Sequence, residues 1–174
     1  MSERTDALLA RMTADERIEL VTGRDMWHTR AVERLGIGSM KVTDGPNGAR
    51  GDGLMGTGTP TACIPSGSML GASWDPELVE RLGGLLGDEC RAKGAHVLLA
   101  PPITLPRSPH GGRNFACYSE APLLTGRLAA AVVRGVQSRG VATTAKHVVA
   151  NDSEFERHTI AVQVDERPLR EVYL

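Results

Sequence analysis

The chain has 174 residues, 41% of them hydrophobic, which suffices for one domain with a real core and leaves too little for a second. Its 20 basic and 21 acidic residues give a formal net charge of −1, so bulk electrostatics calls for neither a nucleic-acid nor a membrane partner. The apolar runs are far too short to span a bilayer, and the charged N-terminus, Met-Ser-Glu-Arg-Thr-Asp, lacks an apolar signal core, so a cytoplasmic location is expected.

Residues Thr5 to Val21 read as two short amphipathic helices. Leu8, Leu9 and Met12 form one apolar stripe and Ile18, Leu20 and Val21 another, while Thr13 and Glu16 fit a capping box that starts the second helix. Trp27 and His28 fall in a loop, with no role assigned. Arg34 to Val42 leads into a short strand that stops abruptly at Thr43-Asp44-Gly45-Pro46-Asn47-Gly48-Ala49-Arg50. Gly, Pro and Asn force a tight turn there. Such a turn fits an Asp44 that bonds its own backbone, a carboxylate at the mouth of a sheet or barrel, or both. Gly51 to Gly56 formally matches the dinucleotide pattern G-x-G-x-x-G, the sole support for a nucleotide-binding reading. That motif must open a helix. Here more Gly, Thr and Pro follow, and a mobile loop is expected instead.

Ser66 to Ser73 reads only as small and apolar. Asp75-Pro76-Glu77 combines an N-cap, a first-turn Pro and an early acid, and predicts a helix to about Lys93 with Gly94 as its stop. Val97 to Ala100 is a fully apolar strand, followed by an irregular loop through Pro101–Pro109 and His110–Phe115. Pro122 opens a long helix to about Arg139, closed by Gly140. Val141 to Ala145 is the next strand, Ile160 to Val164 alternates like another, and Asp165 is placed to cap a last helix over Glu166–Leu174. Cys63, Cys90 and Cys117 are odd in number and far apart, which argues against a disulfide framework; no metal-ligand spacing appears and no cofactor is expected.

The most informative stretch is Ala142 to Arg157, where a β-prone run delivers Lys146 and His147 side by side and then Asn151, Asp152, Glu154, Glu156 and Arg157. Spacing alone fits a solvated loop after a core strand equally well. Strand-helix alternation with apolar strands implies parallel strands joined by right-handed crossovers. The polar loops carrying Asp44, Arg113 and Lys146-His147 then all follow strand carboxyl ends, the face on which both (β/α) barrels and doubly wound sheets build their sites. Periodicity does not separate those two architectures.

Lys-Val-Thr-Asp-Gly-Pro-Asn-Gly-Ala-Arg (41–50), Arg-Ser-Pro-His-Gly-Gly-Arg-Asn-Phe (107–115) and Lys-His-Val-Val-Ala-Asn-Asp-Ser-Glu-Phe-Glu-Arg (146–157) together resemble the N-terminal domain of glycoside hydrolase family 3, β-glucosidase type. The resemblance covers nearly the whole chain. It implies an α/β fold that is part of a (β/α)8 TIM-like barrel, with residues 1–174 as one N-terminal domain incomplete at its C-terminal end. It also implies retaining hydrolysis of a β-glucoside or short β-linked oligosaccharide. By that resemblance Asp44 holds outer hydroxyls of the non-reducing sugar, Arg50, Arg113, Lys146 and His147 line the same subsite, and Arg157 stands close behind. A sugar ring offers hydroxyls and no charge, and ionised partners hydrogen-bond them more strongly than neutral ones.

Retaining chemistry needs two carboxyl groups roughly 5–5.5 Å apart. In the family the nucleophile is an Asp in a Ser-Asp-Trp motif downstream of Lys-His, and the acid/base lies later still. Neither is matched here, since Ser73-Trp74-Asp75 has the wrong order and reads as a helix cap. The chain is therefore expected to supply a sugar subsite without the chemistry, the other reading being a non-catalytic remnant or sugar-binding module. Inside the motifs, Ala116 and Ala121 stand where the family usually has acids, and Val148 follows Lys-His in place of Phe. The missing acids are expected to be lost partners of the basic cluster.

Overall fold

The computed structural model describes residues 2–51 and 59–174. Of the Gly51–Gly56 stretch only Gly51 is among them, so the loop expected there lies outside the described residues.

Three short strands, β1 (Val42–Thr43), β2 (Val97–Leu98) and β3 (Ala142–Thr143), form a parallel sheet in the order β1-β2-β3. Val42 pairs with Val97 and Val97 with Ala142, so the three carboxyl ends finish level. The strands are shorter than the apolar runs predict, yet ladder bonds continue on both sides, from His96 N–H to the Lys41 carbonyl (2.8 Å) and from Leu99 N–H to the Thr43 carbonyl (2.8 Å). The outer edge of β1 is covered by an antiparallel bridge between His28 and Lys41 and by a Val42 N–H bond to the Trp27 carbonyl at 2.7 Å. The loop holding Trp27 and His28 thus blunts a sheet edge that would otherwise be open.

Helices α1 (Glu3–Arg11) and α2 (Ala14–Val21) form as predicted, with the Thr13–Glu16 capping box complete in both directions. Helix α3 (Gly67–Ser73) is the element that the small, apolar stretch did not announce. Ser66 caps it, and a Cβ at Gly71 would lie 1.8 Å from the Tyr118 carbonyl oxygen. The glycines that lower helix propensity here are those that let the backbones approach.

The crossovers are α4 (Pro76–Ala92), capped by Asp75, and α5 (Pro122–Gln137). Gly94 and Gly140 just beyond them are left-handed, at φ 66° and 76°, as helix-stopping glycines should be. The two helices pack closely, since a Cβ on Gly135 would sit 2.1 Å from the Glu80 carbonyl oxygen. Their apolar faces bury Val79, Leu86, Leu128, Val132 and Val136 together with Leu98 of β2 and Val141 just ahead of β3. Each such side chain removed from water contributes about 1.5–3 kcal/mol.

Two expectations fail at the end of the chain. Ile160–Val164 forms no strand, and Ile160 and Val162 are exposed, so the alternation buries no face. Asp165 starts a helical segment, α6 (Glu166–Pro168) continuing as a π-turn over Leu169–Tyr173, but its side chain makes no capping bond. Among the described residues no helix is long and apolar enough to cross a membrane, and no group of three His, Cys, Asp or Glu side chains could hold a metal.

Ala121 is the N-cap of α5, is exposed, and makes no side-chain capping bond. An acid at this position is placed to cap the helix. Ala121→Asp should stabilise the fold by about 0.5–2 kcal/mol and raise Tm by roughly 2–4 °C per kcal/mol, measured by thermal melt. An unchanged or lower Tm would show that the Ala121 backbone does not accept the cap.

Candidate functional site

The level strand ends place the predicted residues together. Asp44 follows β1 directly, and Lys146 follows β3 by three residues. The Lys146 Nζ donates to Asp44 Oδ1 at 2.6 Å, joining residues 102 positions apart. The Lys146 side chain is 16% exposed and that of Asp44 32%, so the pair is shielded while the carboxylate still faces solvent. Burial works against the Asp44 charge, but the Lys146 bond and charge, the Gly45 N–H and the charge of Arg50 outweigh it and hold the carboxyl below its usual range. Arg50 is exposed and returns its backbone N–H to the Asp44 carbonyl at 2.9 Å, closing the turn. Both turn readings of Asp44 therefore hold at once, since its carboxylate takes the Gly45 N–H of its own turn and also the Lys146 ammonium from across the sheet.

Lys146 is positioned by a backbone ladder that runs past the regular strands. Its N–H donates to the Pro101 carbonyl (3.0 Å), and its carbonyl accepts from Ile103 N–H (2.6 Å). The Lys146–His147 peptide bond is cis, and His147 N–H reaches Thr104 Oγ1 at 3.4 Å. The loop after β2 thus fixes the direction in which the loop after β3 delivers its side chains.

His147 lines a cleft with Arg113, Asn151, Asp152 and Glu154. Burial, then the neighbouring charges of Lys146 and Arg113, push the His147 pKa down against the weaker opposite pull of Glu154. Glu154 is the residue that motif matching did not assign. Its carboxylate takes Arg157 Nη1 at 3.0 Å and Asn151 Nδ2 at 3.2 Å, and stands 3.9 Å from Arg113 Nη1. Burial opposes its ionisation, but these partners hold its pKa below the ordinary value. The sequence signal for it was the Glu154-to-Arg157 spacing of three. Arg157 serves the site through Glu154, with half its own side chain exposed. The basic cluster is therefore not short of counter-charge; Asp44 answers Lys146, and Glu154 answers Arg113 and Arg157. Ala116 is buried in the wall of the same cleft, while Ala121 is exposed at the start of α5.

A second support comes from the chain's last segment. The Tyr173 hydroxyl donates to Asp152 Oδ2, and Arg107 lies over the Tyr173 ring at 5.6 Å from its centroid. Asp152 Oδ1 is buried without a partner. No local sequence pattern announces this contact, because its partners belong to three separate segments.

The chain and its fold have counterparts among known proteins. The chain is 56% identical over 97% of its length to a beta-glucosidase of Rhizobium radiobacter, and 50% identical over the same share to probable beta-glucosidase J of Aspergillus fumigatus. Those matches take in 21% and 19% of the two relatives, so the chain spans about a fifth of their length. Among solved structures, the beta-glucosidase of Kluyveromyces marxianus in complex with glucose superposes with a TM-score of 0.92 at 43% identity, over 97% of this chain and 20% of that one. Beta-glucosidase 3B of Thermotoga neapolitana in complex with glucose gives 0.88 at 36% identity, over 98% and 26%. The fold is accordingly α/β, part of a (β/α)8 TIM-like barrel, and the doubly wound alternative is set aside. The family described as glycosyl hydrolase family 3 N terminal domain matches residues 14–174, and the chain belongs to that family.

Proposed function

We propose that residues 1–174 form the sugar-binding part of a retaining, β-glucosidase-like glycoside hydrolase, as an N-terminal domain incomplete at its C-terminal end. Asp44, Arg50, Arg113, Lys146 and His147 are the groups that meet the sugar, with Arg157 behind them. The observation that carries this reading is the Asp44–Lys146 pair at 2.6 Å, which sets a part-exposed carboxylate beside a cation on the carboxyl-end face of the sheet. A carboxylate accepts from two sugar hydroxyls while the ammonium donates to a third, at about 1.5–3 kcal/mol for each charge-assisted bond. The glucose complexes of two structural relatives support the choice of a β-glucoside or short β-linked oligosaccharide as substrate. Three cysteines free of disulfides support a reducing, cytoplasmic setting.

The nucleophile is assigned outside this chain because the family's Ser-Asp-Trp motif is not matched in it, and the general acid on electrostatic grounds. A general acid needs a raised pKa, and Asp44 and Glu154 are both held below the ordinary carboxylate range by their cationic partners. By itself the chain then acts as a non-catalytic sugar-binding module. Purified chain incubated with an aryl β-glucoside should release no aglycone above the buffer rate. Turnover that disappears on mutating Asp44, Asp152 or Glu154 would return the chemistry to this chain.

Glucose should bind the chain with a dissociation constant on the order of 1 mM, about 4 kcal/mol. Asp44→Ala removes at least one charge-assisted bond and should weaken binding roughly ten- to hundredfold in an NMR titration. Unchanged affinity would reduce Asp44 to a turn residue.

With its pKa lowered, His147 is neutral at pH 7, one ring nitrogen donating and the other accepting toward sugar hydroxyls. The unfolded chain takes up this proton near an ordinary value of about 6.5, and the folded chain only at lower pH. Between those values the unfolded state binds more protons, so stability falls as pH drops through that window. His147→Gln should flatten this part of the Tm–pH curve. Identical curves for the two proteins would mean that the His147 proton is not coupled to folding.

A further inference from the structure

We propose that Glu89, on α4 and outside the sugar cluster, is a positioning residue that sets where Asp44 and Arg50 stand. This rests on reading the Asp44–Arg50 turn as sugar-binding. The Glu89 carboxylate takes three donors from the end of the turn and from the segment that follows it: Ala49 N–H (3.0 Å) and Thr61 Oγ1 (2.8 Å) on Oε2, and Ala62 N–H (2.5 Å) on Oε1. One helical turn later, Lys93 Nζ donates to the Ala49 carbonyl at 2.5 Å. Both polar groups of the fully buried Ala49 residue are thus bonded to side chains four apart at the end of α4, Glu89 in its last turn and Lys93 as its C-cap. Arg50 is the next residue, and its N–H closes the turn onto Asp44. The Lys93 carbonyl is itself bonded by Lys41 Nζ at 2.7 Å, just ahead of β1. The turn is therefore registered to α4 at its far end and to β1 at its near end. No other residue type offers three acceptor positions at this reach. An amide has one oxygen, and its NH2 would face an N–H donor.

Glu89→Gln should leave Ala49 or Ala62 N–H without an acceptor and release the turn. Three measurements on the full chain test this: the Asp44 carboxyl titration by 13C NMR, amide hydrogen exchange at Ala49 and Ala62, and the affinity for glucose. The variant should lose amide protection, let Asp44 titrate nearer its ordinary value as it leaves Lys146, and bind glucose about tenfold more weakly. Lost amide protection with Asp44 titration and glucose affinity unchanged would overturn the proposal, because Glu89 would then serve stability alone. If Glu89→Gln does not fold, Lys93→Met carries the same readouts from the carbonyl side. A folded Lys93→Met with an unmoved Asp44 titration also overturns it. If the wild-type chain binds no glucose while Asp44 still responds to Glu89→Gln, the clamp is upheld and the sugar reading of the turn falls.

Discussion

The ion pair between Asp44 and Lys146 is the constraint on which the rest of the site depends. It forms only if β1 and β3, separated by two helical crossovers, end at the same height on opposite sides of β2. A slip of one residue in either pairing would turn alternate side chains to the other face and part the two groups. Taking either charge from water alone would be costly, so each is retained because the other is there. The packing of α4 on α5 fixes the crossovers, the crossovers fix the register, and the register closes the pair. Glycines between the helices are thus connected to the Asp44–Lys146 pair through backbone geometry alone.

Much of this was legible in the sequence where the signal is local. The Thr13–Glu16 box, the Asp75-Pro76 start and the Gly94 and Gly140 stops each depend on a few neighbouring residues, and all are present. Helix α3 was not legible, because Gly67 and Gly71 answer to the backbone at Ala116–Tyr118 and not to helix propensity. The Ile160–Val164 alternation was legible and misleading. Period-two patterning records that a strand could form, whereas formation needs an edge with free donors and acceptors beside it.

The candidate site divides in the same way. Motifs identified the cations and Asp44, since these sit in compact, ordered strings of residues. They did not identify how the cations are balanced. The alanines at 116 and 121 suggested a cluster stripped of its acids, and the structure resolves the two differently. Position 121 concerns a helix terminus, where an acid would face the first-turn N–H groups of Leu123 and Leu124, Pro122 having none. Position 116 lies in the cleft wall, beside a cluster whose balance Glu154 already supplies. Counter-charge is a property of space, and the acid that answers Arg113 is 41 residues from it in the chain.

Binding and bond cleavage make opposite demands on a carboxyl group. A clamp for hydroxyls works best with carboxylates kept ionised by nearby cations, which is the condition of Asp44 and Glu154. An acid catalyst must keep its proton near neutral pH, which requires an apolar or anionic setting and distance from those same cations. One tight cluster does not meet both demands, because every cation that strengthens the clamp weakens the acid. The abundance of Arg and Lys around this end of the sheet therefore suits the holding of a polar ligand better than proton donation to it.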